Sequence, residues 1–433
     1  MFKFIDLFAG IGGFHHALSS LGGECVLACE FDKDCEKVYR STFPETRFVS
    51  NIREITRNTI EDEDSVKSNS EIEELVPDHD VLCAGFPCQP FSLAGKGLGF
   101  SDRTRGTLFF DIMQIVKAKK PRYVLLENVR NITSAQHKDT WRTIISSLRE
   151  EGYVVSEKPT ILSPHLIPEN EGGAPQVRDR VFIAATLDST ADAFYLERDY
   201  FKDSHDPFKD WSIEKYLSKD NEVSNLKKYT CRDEEVMWFE AWNYLVENIN
   251  QDKIPGVIWI SAFNSKPKID DSMAQWRIDY LKRNSVFYNE NRKFLNSWLN
   301  MKWGRYQQKV TEFPPSRQKL EFQAMRLHPT QKGRTIRDLV IQFRQSGIRV
   351  KPPNYLPALV AINQTSIIGP EVKPGINEYR RITPYEASKL QGIDGAVFTR
   401  ANADDRAIYK QLGNGVNVGV VTYVAKRFLQ SLI

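Results

Sequence analysis

Four short segments of this 433-residue chain carry residue types whose spacing could do chemistry. The first is Gly85-Phe86-Pro87-Cys88-Gln89-Pro90-Phe91-Ser92, directly after the apolar run Val81 to Ala84. It places a thiol at the carboxyl end of a strand, where open α/β sheets keep their active sites. Two flanking prolines stiffen the loop. A thiol on a rigid loop is a candidate nucleophile, whereas Cys25, Cys29 and Cys83 lie inside strand-like runs and read as small buried hydrophobes. The second segment, Glu127-Asn128-Val129, follows the apolar run Tyr123 to Leu126 and puts a carboxylate at another strand end. The third is Asp6-Leu7-Phe8-Ala9-Gly10-Ile11-Gly12-Gly13-Phe14, a glycine-rich strand-to-helix turn that lets a ligand approach the backbone. Glu30, at the end of the next strand, is placed to bind a ribose hydroxyl pair; these two features alone would equally serve a nicotinamide dinucleotide. The fourth is Pro175-Gln176-Val177-Arg178-Asp179-Arg180, where alternation sets Arg178 and Arg180 on one side, away from Asp179. Two guanidinium groups on one face suit a phosphate or a carbonyl.

The elements that must position these residues alternate. Phe4 to Phe8, Glu24 to Phe31, Phe48 to Ile52, Val81 to Ala84, Tyr123 to Leu126, Tyr153 to Val155 and Val181 to Ala185 read as strands. His15 to Leu21, Asp34 to Thr42, Gly106 to Lys117 and Thr140 to Arg149 read as helices. This rhythm predicts a doubly wound, mostly parallel α/β sheet covered on both faces. The acidic stretch Glu61 to Glu74 reads as an exposed loop or solvated helix inserted between the third and fourth strands. After Ala185 the rhythm is lost and the texture turns rich in Trp, Tyr, Lys and Arg, which predicts a second, smaller domain. Val416 to Leu429 reads as a buried apolar helix.

Composition narrows the class. With 41% hydrophobic and 27% charged residues the balance is that of a globular protein. No apolar run is long enough to span a membrane. The start, Met1-Phe2-Lys3-Phe4-Ile5, enters a strand without the pattern of a signal peptide, so a cytoplasmic protein is expected. The six cysteines form no C-x-x-C pair and have no His cluster nearby, so no metal is expected. The net charge of +3 neither favours nor excludes a polyanionic partner, which responds to local patches.

Taken together, in order and spacing, the four segments resemble the motifs of the DNA cytosine-5 methyltransferase family, of the bacterial restriction-modification type. Asp6 to Phe14 resembles its first motif, Gly85 to Ser92 its catalytic motif, Glu127 to Val129 its Glu-Asn-Val, and Gln176 to Arg180 its Gln-x-Arg-x-Arg. Arg381-Ile382-Thr383-Pro384-Tyr385-Glu386-Ala387 is similar to its Arg-x-Leu-Thr-Pro-Arg-Glu, and Lys410 to Asn417 to its final Gln-x-Gly-Asn-Ser-Val. Three positions depart from the pattern: Asn51 replaces an Asp that binds the cofactor's adenine amino group, Tyr385 an Arg, and Gly415 a Ser.

The resemblance implies a Rossmann-like methyltransferase that uses S-adenosylmethionine, releases S-adenosylhomocysteine, and methylates carbon 5 of a cytosine flipped out of double-stranded DNA. It implies catalytic roles for Cys88, Glu127, Arg178 and Arg180, with Arg178 stabilising the thiolate or a nearby phosphate. Phe8, Gly10, Ile11, Gly12, Glu30, Phe31, Asn51, Ile52, Pro87, Leu108, Asn414 and Gly415 would surround the cofactor. Gln89, Ser92, Lys96 and Arg103 would touch DNA. It further implies a catalytic domain of residues 1–185 plus 405–433, and a target-recognition domain of 186–404 with a Trp-rich helical insertion at about 230–310. DNA reading is expected within 320–379, where Arg326, Lys332, Arg334, Arg337, Arg344, Arg349 and Lys351 face few acids; Arg334 and Arg337 are the expected base readers. A separately encoded restriction endonuclease is the expected partner. The other readings are a tRNA cytosine-5 methyltransferase, against which stands the missing Cys-Phe-Thr triplet, and an inactive DNA-binding homologue, against which stand Cys88, Glu127 and Arg180.

Overall fold

The computed structural model describes residues 1–87, 107–264, 266–270, 272–323, 335–359 and 366–433. Two compact units emerge: the described residues of Met1–Trp211, Pro357–Ile362 and Ala387–Ile433, and those of Ser212–Leu356 and Asn363–Glu386.

The first unit follows the β-α alternation read in the sequence. Its strands are β1 (Phe2–Leu7), β2 (Gly23–Cys29), β3 (Phe48–Val49), β4 (Val81–Gly85), β5 (Tyr123–Val129), β6 (Val154–Val155), β7 (Thr160–Leu162) and β8 (Arg180–Thr186). They form one eight-stranded sheet in the order β3-β2-β1-β4-β5-β8-β6, with β7 also on β8. Strands β1 to β5 pair in parallel, and β8 runs antiparallel to β5. The chain winds outward first through β2 and β3, then through β4 and β5. The order therefore reverses beside β1, and a crevice opens at the carboxyl ends of β1 and β4.

The helices are α1 (Gly13–Ser19), α2 (Lys33–Thr42), α3 (Ile52–Thr56), α4 (Asn69–Leu75), α5 (Leu108–Lys119) and α6 (Lys138–Glu150). Alternation splits each strand between two cores. Ile5 and Leu7 of β1 and Leu82 and Ala84 of β4 face α3 to α6, while Phe4, Val81 and Cys83 face α1 and the helix Val418–Phe428. Sheets buried on both faces read as continuous apolar runs, which is why β4 and β5 were legible.

One local expectation shifts, and the helix allowed within the acidic stretch is present. The third strand stops at Val49, because Asn51 accepts from the Arg53 N–H at 3.1 Å and starts α3 there. Within the acidic stretch 61–74, α4 begins at a capping box in which Ser68 and Glu71 satisfy each other's backbone N–H groups.

The expected domain boundaries were 185/186 and 404/405, whereas the compact units part at 211/212 and 386/387. Phe194, Leu196 and Phe201 pack against the core on the α1 face, and the Trp211 indole N–H donates to the His165 carbonyl at 2.8 Å. At the other end Asn417 donates to the Leu390 carbonyl at 2.8 Å.

The second unit holds a six-stranded sheet. Its strands are β9 (Ile258–Trp259), β10 (Lys319–Phe322), β11 (Val340–Arg344), β12 (Gly347–Lys351), β13 (Ile367–Ile368) and β14 (Arg380–Arg381), in the order β9-β10-β12-β11-β13-β14. Helices α7 (Asp233–Asn248), α8 (Gln275–Glu290) and α9 (Arg292–Asn300) accompany it. Trp238, Trp242 and Trp298 are buried in its core. Trp259 and Trp276 are not: Trp276 is 58% exposed. No helix among the described residues is long and apolar enough to cross a membrane.

Candidate active site

The glycine-rich turn after β1 is built around two glycines in left-handed backbone. Gly12 sits at φ 87°, where an added Cβ would also run into the Phe43 ring. Gly10 sits at φ 56° with open space where a Cβ would be, so the backbone there is bare to a ligand. Phe8 shares this region at φ 57°, an uncommon conformation for an aromatic residue that a tightly held turn maintains. Glu30, just past β2, does the holding: its carboxylate accepts from the Gly10 N–H at 2.8 Å and the Asp32 N–H at 2.7 Å. Burial raises the Glu30 pKa, and these two N–H bonds work against the rise.

These residues open onto a cavity of about 670 Å³ within the first unit. Phe8, Gly10, Glu30, Phe31, Asn51, Ile52, Pro87, Leu108, Asn414 and Gly415 all line it. Phe31 is 71% exposed, leaving a ring face available to a planar ligand. Ile11 and Gly12, expected beside them, do not line the cavity. Ile11 turns into the interior and Gly12 serves the turn into α1. Asn51 spends one lone pair of its oxygen on capping α3, which leaves a second for a ligand donor.

Gln411, the Gln of the final motif, was given no role of its own in the sequence. Its side chain is buried, lines the cavity, and has no hydrogen-bond partner for either amide atom among the described residues. A buried amide in that state calls for a ligand or water. The donor set of carboxylate, amides, bare backbone and one exposed ring therefore fits an adenosine-type ligand. Among the described residues no group of His, Cys, Asp and Glu is arranged to hold a metal ion.

The cavity continues to Glu127 and Arg180. Glu127 lies opposite Gly85, the last residue of β4, in the parallel pairing of β4 with β5. Asn128 ties them further, donating to the Phe86 carbonyl at 2.9 Å. Arg180 Nε meets Glu127 Oε1 at 3.0 Å. Burial raises the Glu127 pKa, while the charges of Arg180 and then Arg178 pull it down; the net shift is upward. Asp179 points away, to Arg130 and Arg198, as alternation required.

Arg178 makes backbone contacts that the sequence did not suggest. It is 1% exposed, and its guanidinium donates to the carbonyls of Gly413 at 2.8 Å and Gly415 at 2.7 Å. A group so enclosed fixes the 413–415 turn and is not turned outward to a phosphate. Burial lowers its pKa, the Arg180 charge adds to the fall, and Glu127 opposes it. Cys88, Gln89, Ser92, Lys96, Arg103 and Arg334 lie outside the described residues.

Arg337 of the second unit is described, and it has an acid partner. Its Nη2 donates to Glu240 Oε2 at 2.6 Å and its Nε to Oε1 at 3.2 Å. Arg349 is likewise paired with Glu321. These two cations of the 320–379 stretch therefore do face acids, which come from α7 and β10 and are distant or inconspicuous in sequence. The motif near the end also shifts by one residue. Arg380, not Arg381, is the buried arginine that grips Glu386, at 2.9 and 2.7 Å, while Arg381 pairs with Glu235 at 2.7 Å.

The profile of the family described as C-5 cytosine-specific DNA methylase matches residues 2–430. The chain is 33% identical to the type II methyltransferase M.AluI of Cellulosimicrobium cellulans, over 99% of this chain and 92% of that protein. It is 29% identical to the type II methyltransferase M.BanI of Aneurinibacillus aneurinilyticus, over 99% and 96% respectively. The solved S. pombe Dnmt2 methyltransferase shares the fold, with a TM-score of 0.54 at 15% identity over 100% of this chain and 99% of that one. Sequence, sheet order and site thus converge: the chain belongs to the C-5 cytosine-specific DNA methylase family, whose members use S-adenosylmethionine, and it is a DNA (cytosine-5-)-methyltransferase.

Proposed function

We propose that Cys88, Glu127 and Arg180 carry the reaction, with S-adenosylmethionine in the cavity of the first unit and cytosine in a specific double-stranded DNA sequence as substrate. The observation that carries this reading is the pair of the buried Glu127 with the part-buried Arg180, set on the strand beside the one that leads toward Cys88. A thiol cannot reach carbon 6 within the duplex, so the base enters flipped out. The Cys88 thiolate forms a bond to carbon 6, and the 5,6 double-bond pair moves to carbon 5. Glu127, whose pKa burial raises, gives a proton to ring nitrogen 3 and so cancels the charge that addition builds. Arg180 holds Glu127 and the base's carbonyl oxygen.

When bound, S-adenosylmethionine supplies an electrophilic methyl group. Glu30 and Asn51 would meet its ribose and adenine, with Phe31 against the ring and Gln411 as a further polar contact. After methylation the carbon-5 proton leaves to a solvent base, the carbon 6–sulfur bond breaks, and Glu127 recovers its proton. The role of Arg178 is to hold the 413–415 wall of this cavity. The described residues of 1–211 and 387–433 form the catalytic unit, and the second unit reads the target. By likeness to type II methyltransferases, the cellular role is protection of bacterial DNA from a separately encoded endonuclease.

The test is Cys88→Ala together with 5-fluorocytosine DNA. The variant should lose methyl transfer and keep DNA binding, and the wild type should form a covalent adduct at Cys88, because fluorine does not leave as a proton does. Residual turnover in the variant, or an adduct on another cysteine, removes Cys88 from the mechanism. Methylation of tRNA but not of duplex DNA would make this an RNA enzyme.

A further inference from the structure

The second unit contains a cavity of about 1130 Å³ that none of the roles above uses. One wall is α8, where Trp276, Tyr280 and Arg283 stand at i, i+4 and i+7 and so share a face. Another is the β9–β10 pair, in which Trp259 lies directly across from Lys319. The Trp259 ring is nearly perpendicular to that of Trp276, at 89° with centroids 6.3 Å apart, and Tyr280 closes the trio at 5.4 Å from Trp259 and 5.8 Å from Trp276. Edge-to-face contacts leave ring faces unfilled, consistent with the high exposure of Trp276.

The charge around the trio selects the ligand. Lys319 Nζ sits 5.3 Å from the Trp259 centroid, and Arg277 and Arg283 flank the cavity. Arg349 and Glu321, also at this wall, neutralise each other. Among the described residues Arg277, Arg283 and Lys319 have no carboxylate partner. Three unpaired cations repel a cationic guest, which is the usual occupant of an aromatic cage. They attract an anion carrying a flat apolar face, which is the description of a nucleotide. The edges of stacked bases ask for hydrogen-bond groups, whereas ring faces ask for a base whose own face is uncovered.

We propose that this groove holds a nucleotide of the DNA substrate outside the base stack, its base on Trp276 and Tyr280 and its phosphates on Arg277, Arg283 and Lys319. The proposal rests on the reading of the chain as a DNA methyltransferase. It adds a second contact for an unstacked base, in the second unit, besides the one that Glu127 offers to the target cytosine.

The test uses the full chain and a duplex carrying the methylated site, mapped beforehand by bisulfite sequencing. Trp276→Ala should weaken binding of that duplex about 5- to 150-fold, the range for a lost base–aromatic stack, and Trp276→Phe should restore most of it. Arg277→Ala combined with Arg283→Ala should flatten the slope of log K against log salt by about 1.8, roughly 0.9 per phosphate contact. S-adenosylmethionine affinity, and turnover at saturating DNA, should stay at wild-type values in all three. Wild-type DNA affinity and salt slope in folded variants would overturn the proposal. So would binding of free deoxynucleotide in the groove without any change in DNA affinity. A wild-type protein that methylates no DNA would refute the underlying enzymatic reading instead, and the same titration with a mixed-sequence duplex would then decide the groove.

Discussion

Replacing Arg178 by Met separates a scaffolding guanidinium from a catalytic one. Met fills similar space but donates nothing, so the Gly413 and Gly415 carbonyls lose their 2.8 and 2.7 Å donors. Each buried acceptor left unmade costs about 1–3 kcal/mol, or ~2–6 kcal/mol for the two. Removing a buried charge relieves part of its own desolvation, which brings the net loss down to ~2–4 kcal/mol. In a unit of this size that corresponds to a fall in Tm of about 4–15 °C. Asn414 and Gly415 line the cofactor cavity, so the loss should be felt there first. If about 1.4–2.8 kcal/mol of it falls on the bound-state turn, the Kd for S-adenosylmethionine rises about 10- to 100-fold. Calorimetric titration with the cofactor and a thermal scan measure both quantities. Arg178→Lys, which keeps one donor, should fall between wild type and Met in each. An unchanged cofactor Kd and Tm with a collapsed kcat would refute the scaffolding argument and return Arg178 to the thiolate.

Glu127→Gln keeps the Arg180 contact but has no proton to give, so the single-turnover rate should fall about 10²–10⁴-fold. The wild-type rate should decline as pH rises through the elevated Glu127 pKa, because the protonated form is the working one, and the Gln variant should lack that limb; a shared limb would assign it to another group. Asn51→Asp preserves the cap on α3, since Asp caps as well as Asn, and adds a charged acceptor for the adenine amino group. Calorimetry should show modestly tighter S-adenosylmethionine binding, and weaker binding would place the adenine elsewhere. Arg337→Ala should lower stability by no more than about 1 kcal/mol, the scale for a partly exposed pair with Glu240, and leave the methylated sequence unchanged. A relaxed site in bisulfite sequencing would restore Arg337 as a base reader.

What the sequence by itself determined was local chemistry and rhythm. Continuous apolar runs such as Val81 to Ala84 could only be strands buried on both faces, and their alternation with helical segments dictated a parallel sheet with its active crevice at the carboxyl ends. Glu127 and Glu30 drew notice because each stands at or near the end of such a strand. Tertiary structure alone decided what a side chain meets across long separations. Arg178 and Arg180 look alike in the chain, yet one is closed in by carbonyls 235 and 237 residues away while the other reaches Glu127. Arg337 and Arg349 looked free because their acids, Glu240 and Glu321, are 97 and 28 residues distant. Gln411 became notable only when the fold buried its amide without a partner. The tryptophans divided the same way: Trp242 and Trp298 were sealed into a core while Trp276 was left on an open face, because a helix buries one side only and its neighbours choose which.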